Sequence, residues 1–216
     1  RGLGDVYKRQ PHGGGGPGSG PVGCKAALAP FLPNPRVIRT ERGFRYGNGK
    51  NSVGKVSAFY GNFGVYVKAL AYIVTLGGVG LRAASETAVL NANYLREKIS
   101  RFYPVDTSRP CMHEFVVSMK KLKDETGVSA IDVAKAMIDR GIHPPTMYFP
   151  LIVEEALMFE PTETESKETL DRAAEVFGEI VATAYSAPET LHDAPHNAAI
   201  RRPDEVKAAR NPVVRG

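Results

Sequence analysis

Residues 11–21 form the stretch of this 216-residue chain that most limits its fold. They contain six glycines and three prolines. Such a run cannot lie inside a helix or a strand, because glycine costs backbone entropy there and proline lacks an amide donor. We therefore predict a loop. Successive glycines let backbone N–H groups converge on an anion, but flexible linkers are also glycine-rich. The composition slightly favours a phosphate-bearing ligand and leaves both interpretations open.

The overall composition is that of a soluble globular protein. Hydrophobic residues make up 43% and charged residues 24% of a chain long enough for one large domain or one and a half smaller ones. No stretch approaches the roughly 20 apolar residues that span a bilayer, and the first ten residues lack the apolar core of a signal peptide. Cys24 and Cys111 are too few for a disulfide framework or a zinc site. We expect a cytoplasmic protein with reduced thiols, no membrane association and no metal.

The net charge of +5 and the isoelectric point near 9.2 raise the question of nucleic-acid binding. The basic residues are dispersed along the chain, and the densest runs, at residues 120–123 and 201–202, are followed closely by acids. This pattern favours a solvated surface over a nucleic-acid interface. A mildly basic surface suits an acidic protein partner better, through electrostatic steering.

The first half of the chain predicts two short strands and two helices. Strands are possible at residues 37–39 and 45–46, with turns between them. Apolar residues three and four apart predict a helix over residues 58–76, and the glycines at 77, 78 and 80 break it. A second helix is predicted over about residues 81–101, ending before Pro104.

The second half alternates strands with amphipathic helices, which predicts a small α+β domain. We expect strands at residues 112–119 and 157–160, and a loop with three prolines at residues 141–150. A capping signal at residues 129–132 opens one helix and Gly141 ends it. A capping box at residues 162–165 opens the clearest helix, and the tail from Ser186 is predicted to be extended. The apolar face of that clearest helix comprises Leu170, Ala173, Ala174, Phe177, Ile180, Val181 and Ala184.

Two glycine motifs for nucleotide phosphates are matched only superficially. Residues 13–18 satisfy G-x-G-x-x-G because a polyglycine run does so trivially, and no apolar strand precedes them. Residues 49–55 approximate a Walker A loop, but Val56 stands where a serine or threonine would hold magnesium. Chance explains both matches better than nucleotide binding does.

The histidines differ in what their surroundings predict. His12 adjoins the glycine loop, where capping a turn and binding a ligand are equally open. His113 falls in a predicted strand, where a hydrogen-bonded core histidine is the usual case. His143 lies in a proline-flanked loop, a better place for a functional side chain. His192 and His196 have a spacing that suits a metal only on a helix, and Pro195 argues against a helix there.

Several long segments, in order, resemble glycine decarboxylase, the P-protein of the glycine cleavage system, and specifically the second subunit of its two-subunit form. The glycine-rich loop at residues 11–22 carries the first match. The others are Ser-Ala-Phe-Tyr-Gly-Asn-Phe-Gly-Val at residues 57–65, Ala-Val-Leu-Asn-Ala-Asn-Tyr-Leu at 88–95, His-Glu-Phe at 113–115, and residues 141–150, 160–167 and 191–210.

The resemblance implies a fold-type I pyridoxal-phosphate-dependent transferase, α/β in its large domain and α+β in its small one. Residues 11–55 would end the cofactor-binding large domain, residues 56–103 would be linking helices, and residues 104–216 would form the C-terminal small domain with its tail. Tyr60 and Asn62 open the first helix, whose amides could face an anion. Packing and capping are the alternative there.

The resemblance also implies the chemistry. The family uses pyridoxal 5′-phosphate to decarboxylate glycine and passes the aminomethyl group to the lipoyl arm of H-protein. Its partners would be subunit 1 of the same enzyme and lipoylated H-protein. Cofactor-binding residues would be His12, Gly13, Gly14, Gly15 and Gly16, and Tyr60, Asn62 and His143 are candidates for the substrate site or its tunnel.

One departure from the family concerns catalysis. The family's Schiff-base lysine stands five residues before the proline of the loop, where this chain has Val6, and the neighbours of Lys8 do not match. Residues 1–10 resemble nothing in the family and are predicted to be foreign sequence on a C-terminal fragment. We therefore expect the chain alone to be inactive. The alternatives are a lysine-less pseudoenzyme or regulatory subunit that pairs with an active homologue, and an aminotransferase of other specificity, which also needs the lysine.

Overall fold

The computed structural model describes residues 22–56 and 62–213. The glycine-rich loop, residues 1–10 and Tyr60 lie outside these ranges, so the predictions made for them stay predictions. The chain divides into two compact units, one ending at Val79 and the other covering residues 80–216. The domain boundaries predicted at residues 10, 55 and 103 also stay predictions.

The first unit contains a 3-10 helix and a β-hairpin. The 3-10 helix spans Ala26–Phe31, and strands β1 (Arg36–Thr40) and β2 (Gly43–Gly47) pair antiparallel. The hairpin turns at Gly43, whose φ of 109° is a conformation that glycine adopts without the steric cost of a Cβ. The two strands predicted in this region are confirmed.

Helix α1 (Phe63–Ile99) begins in the first unit and is interrupted at Gly77. Gly77 has φ 61° and ψ −177°, which lie outside the helical region and are accessible mainly to glycine. The interruption falls where the sequence predicted a break between two helices. The first helix begins at Phe63, later than the predicted residue 58.

Helix α1 is long and apolar enough to cross a membrane by length and composition alone. The prediction that no stretch approaches the length needed to span a bilayer is therefore wrong for this segment. A single such helix is weak evidence of membrane association, because the core helix of a larger soluble protein passes the same test.

The second unit is built around a three-stranded antiparallel sheet. It consists of β3 (Phe115–Ser118), β4 (Thr146–Met147) and β5 (Ala156–Phe159), with β5 in the centre. The helices are α2 (Lys120–Thr126), α3 (Ala130–Asp139), α4 (Lys167–Ser186), α5 (Pro188–His192) and α6 (Glu205–Arg210).

An aromatic cluster occupies the core between this sheet and helix α4. Phe115 and Phe159 stack with ring centroids 5.2 Å apart, and Phe177 meets Phe159 and Tyr103 edge to face at 5.7 and 6.1 Å. Each such ring pair contributes about 0.5–1.5 kcal/mol beyond the area it buries. The predicted apolar face of α4 is confirmed, with Phe177 and Ile180 fully buried.

The helix ends show which local signals decide structure. The Asp132 carboxylate accepts hydrogen bonds from the N–H and Oγ of Ser129, so the capping signal predicted for α3 is confirmed. Gly141, with φ 75°, follows the end of α3 as predicted. The start predicted for α4 is wrong: Ser166 caps it, accepting from the Thr169 N–H at 3.2 Å.

The tail is also not simply extended as predicted. Beyond α4 it forms the short helices α5 and α6, and the segment between them is tied back to α3. Asp139 accepts hydrogen bonds from the backbone N–H groups of His196 and Asn197 at 2.6 and 2.8 Å. Arg202 donates to Asp132 at 2.8 Å and to the carbonyl of Ala194 at 2.6 Å.

Candidate functional site

A small cleft in the second unit is the candidate site. Its volume is about 130 Å³, and its lining is mostly apolar. The polar groups among its lining residues include His143, Glu160 and Glu165. The other lining residues are Leu95, Met137, Gly141, Ile142, Pro144, Pro145, Phe159, Pro161, Thr169, Leu170 and Ala173.

Local sequence explains why His143 lines this cleft. Helix α3 ends at Asp139, and Gly141 takes the left-handed conformation that turns the chain out of the helix. Pro144 and Pro145 then limit the backbone to extended conformations. His143 therefore occupies a stiff, exposed loop at the rim of an apolar cleft. The prediction that this histidine is in a loop is confirmed, and its functional role stays a prediction.

The two acidic residues of the cleft come from the ends of regular elements. Glu160 directly follows β5, and Glu165 directly precedes Ser166, the N-cap of α4. The side-chain amide of Asn91, on α1, donates to the carbonyls of Glu165 and Thr162 at 3.2 and 2.8 Å. Hydrogen bonds from a buried amide thus hold the segment between β5 and α4 in place.

One turn of α1, residues 91–94, holds three separate segments. Asn91 binds the segment before α4. Asn93 donates its side-chain N–H to the Cys111 carbonyl at 2.8 Å and accepts from the Cys111 N–H at 3.0 Å. The Tyr94 hydroxyl donates to Asp171 of α4 at 2.6 Å. The Asn-Ala-Asn-Tyr segment that carried part of the family resemblance is therefore an organising element of this unit.

Asp171 also forms ion pairs with two lysines. Its carboxylate lies 2.7 Å from Lys167 Nζ and 2.8 Å from Lys98 Nζ. Hydrogen bonds from Lys167, Lys98 and Tyr94 hold the pKa of Asp171 well below its ordinary value of 3.8. This carboxylate stays ionised across the physiological range and connects α1 to α4.

The other predicted site residues are dispersed or lie outside the described residues. Asn62 belongs to the first unit and accepts the Val65 N–H through its side chain at 3.4 Å, as a helix-capping residue does. His12, the glycines at 13–16 and Tyr60 are outside the described ranges. His192 and His196 have separate partners: His192 Nδ1 lies 3.3 Å from Asp132, and His196 contacts the Thr190 carbonyl at 2.9 Å.

The expectation that His113 is a core histidine is wrong. Strand β3 begins at Phe115, so His113 precedes the ladder, and its side chain is 54% exposed. Its Nε2 lies 3.6 Å from Oε2 of Glu114. Glu160 was not singled out from the sequence at all. The pairing of β3 with β5, which no local pattern reveals, brings it beside His113 and Glu114.

The cleft does not fit pyridoxal phosphate. The cleft is smaller than the roughly 300–1,000 Å³ of most sites that enclose small molecules. The residues predicted to bind the cofactor lie outside the described ranges, so the geometry of the cleft supports no step through this group.

A comparison with solved structures identifies the fold. The chain is similar to a crystal structure of glycine decarboxylase (P-protein) of the glycine cleavage system in inhibitor-bound form. The TM-score is 0.58 with 22% sequence identity, covering 72% of this chain and 37% of that one. The predicted fold class, part of a fold-type I transferase of mixed helix and sheet, is confirmed.

Residues 84–203 match the family model for the C-terminal domain of glycine dehydrogenase, and the chain belongs to that family. It is 59% identical over 206 residues to the probable glycine dehydrogenase (decarboxylating) subunit 2 of Treponema denticola. It is 58% identical over 207 residues to the Caldanaerobacter subterraneus protein of the same name, and 53% over 205 residues to that of Thermotoga maritima.

These alignments also show how much of each relative's length the chain covers. They cover 95% of this chain but only 42–43% of each of the three relatives. The chain therefore spans about two fifths of the length of the curated relatives it matches. The family suggested by the sequence resemblance is confirmed.

Proposed function

We propose that this chain contributes the C-terminal part of subunit 2 of a glycine dehydrogenase that decarboxylates glycine. The observation that carries the proposal is 59% identity to a probable subunit 2 across 95% of the chain. The match of residues 84–203 to the family model supports the same assignment from this part of the chain alone.

The cofactor and partners follow from the family and from the glycine-rich sequence at residues 11–22. We propose that the whole subunit uses pyridoxal 5′-phosphate, with backbone amides of this glycine run near the phosphate. Its partner subunit would be subunit 1, and lipoylated H-protein would accept the aminomethyl group. The proposed location is the cytoplasm.

The role proposed for the described residues is in binding rather than in bond breaking. The cleft has apolar walls with His143 and two carboxylates among its lining residues. A narrow apolar surface with a few polar groups suits the positioning of a slender substrate segment. His143 would orient that segment, since its ring can donate or accept a hydrogen bond near neutral pH.

The chain alone should not decarboxylate glycine, because Val6 stands where the family has its Schiff-base lysine. We would compare the 216-residue chain with a chimera joining the upstream part of the Treponema denticola relative to residues 11–216. Both would be supplied with pyridoxal phosphate, subunit 1 and lipoylated H-protein. Glycine-dependent exchange of labelled bicarbonate is expected from the chimera only.

A chimera that folds and binds cofactor but shows no exchange would contradict the proposed function. Exchange by the chain alone would contradict the need for the lysine. In the chimera, His143→Ala should lower the exchange rate about tenfold, as the loss of a positioning contact does. Glu189→Gln, on the exposed surface of α5, should leave the rate unchanged.

The second candidate function is a lysine-less regulatory subunit that pairs with an active homologue. The observation in its favour is the same Val6. Sequencing the native locus across Gln10 and Pro11 separates the two candidates. A lysine five residues before Pro11 supports the decarboxylase subunit, whereas native residues 1–10 without it support the regulatory role.

A further inference from the structure

The pairing of β3 with β5 brings two glutamates together at one end of the sheet. Phe115 pairs with Phe159 in the antiparallel register. Continuing that register by one position places Glu114 opposite Glu160. Side chains directly opposite on an antiparallel pair lie on the same face, with Cβ atoms about 4.5–5.5 Å apart. Two carboxylates on one face of the sheet can both serve as ligands to one cation.

An imidazole completes the group. One possible ligand atom from each of His113, Glu114 and Glu160 lies within 4.8 Å of the other two. His113 Nε2 and Glu114 Oε2 are 3.6 Å apart. Around a tetrahedral zinc ion with bonds near 2.0–2.2 Å, donor atoms lie about 3.3–3.6 Å from one another. The His113–Glu114 distance already matches this spacing, and small side-chain rotations would bring Glu160 to it.

The group is accessible, and it adjoins the cleft. The His113 and Glu114 side chains are 54% and 41% exposed, so an ion can enter without unfolding the unit. Glu160 is also one of the lining residues of the cleft. An ion at this group would therefore lie at the edge of the cleft.

We propose that His113, Glu114 and Glu160 bind a divalent transition-metal ion, for which zinc is the best-suited probe. One nitrogen and two carboxylate donors suit zinc better than calcium or magnesium, which prefer oxygen ligands alone. Three protein ligands leave a coordination position for water or an anionic ligand. The proposal opposes the sequence prediction of no metal site and does not depend on the proposed function.

The test is isothermal titration of the 216-residue chain with zinc chloride in a non-chelating buffer near pH 7. One zinc ion per chain is expected, and Glu160→Gln should weaken binding at least tenfold because a charged ligand is lost. Glu189→Gln, which removes an exposed acid of α5 far from the group in sequence, should bind zinc as the parent does. Circular dichroism checks that each variant is folded.

A second measurement needs no variant. Cobalt(II) bound at the site should give visible absorption typical of low coordination number, and zinc should displace it. Zinc should also protect His113 from modification by diethyl pyrocarbonate, read by peptide mass spectrometry. Unchanged zinc affinity in Glu160→Gln, or equal modification of His113 with and without zinc, would overturn the proposal.

Discussion

Asp132 serves two structural purposes at once. It caps α3 through Ser129, and it pairs with Arg202 Nη2 at 2.8 Å, which ties the tail to the helix. The side chain is 7% exposed. Burial disfavours its charged form and is the largest single effect on its pKa. Together, the hydrogen bonds from Ser129 and the charge of Arg202 outweigh burial and lower the pKa of Asp132 below its ordinary 3.8.

This lowered pKa predicts how acid affects the second unit. A carboxyl whose pKa is lower in the folded state stabilises that state above its unfolded pKa, near 4. The stabilisation is lost as the pH falls through the folded value. Asp132→Asn should lower the free energy of unfolding by about 1–3 kcal/mol at pH 7 and by much less at pH 2–3. Urea unfolding at pH 7, 4 and 2.5, followed by circular dichroism, measures this.

A nearby acid provides the matched control. Asp193 is exposed in the same tail, and Asp193→Asn should change the free energy of unfolding by less than about 0.5 kcal/mol at each pH. An equal loss of stability in Asp132→Asn at pH 7 and at pH 2.5 would contradict the electrostatic explanation. It would leave packing as the role of this side chain.

At the scale of elements, helix α4 packs against Phe102 through a glycine. A Cβ placed on Gly178 would lie 2.7–2.9 Å from three ring atoms of Phe102, closer than real Cβ contacts allow. Alanine would favour the helix by about 1 kcal/mol, whereas overpacking costs about 1–3 kcal/mol. The close approach of the ring explains why a residue with poor helix propensity occupies the buried face of α4.

Gly178→Ala should therefore lower the free energy of unfolding by up to about 2 kcal/mol, because the cost of the clash exceeds the gain in helix propensity. In a Phe102→Ala background the same substitution should be neutral or stabilising, since the ring is gone. Urea unfolding of the four proteins in this double-mutant cycle measures the coupling. Equal effects of Gly178→Ala in both backgrounds would show that Phe102 does not limit this position.

Features that depend on the backbone geometry of a single element could be predicted from the sequence. Features that depend on contacts between residues distant in sequence could not. Ser129, Gly141 and the glycine break near residue 77 act through their own backbone geometry, and each was predicted. The start of α4 was misplaced at Thr162, whose carbonyl binds Asn91, 71 residues away in sequence. For the candidate site, the loop of His143 was predictable, but the meeting of Glu160 with His113 depends on strand register.

At the scale of the molecule, the two units differ sharply in burial. None of the described residues in 22–56 and 62–79 is buried, whereas the buried hydrophobic residues all lie between Ala92 and Ala194. The first unit exposes large apolar side chains, including Phe44, Phe63, Leu70 and Val74. Apolar surface on this scale is typical of a face that another polypeptide covers. The chain spans 43% of the length of the Treponema denticola relative.

Limited proteolysis should detect the difference in burial between the two units. Trypsin is expected to cut first within residues 22–79, where many basic residues lie in a unit whose described residues include no buried core. The resistant product should end beyond Arg202, which is held to α3. Mass spectrometry of a time course identifies the cuts. Cleavage at Lys123 or Lys135 as fast as at Arg39 or Arg45 would contradict the expected order.

Two hydrogen bonds of the Asn93 side chain couple the motion of the coil around Cys111 to that of helix α1. Residues 109–112 belong to no strand or helix, and coil of this kind ordinarily opens and closes on its own. Here one helical side chain forms hydrogen bonds with both the backbone N–H and the backbone carbonyl of one coil residue, Cys111. The coil can move away from the helix only if both hydrogen bonds break, so it opens less readily than a coil without such bonds.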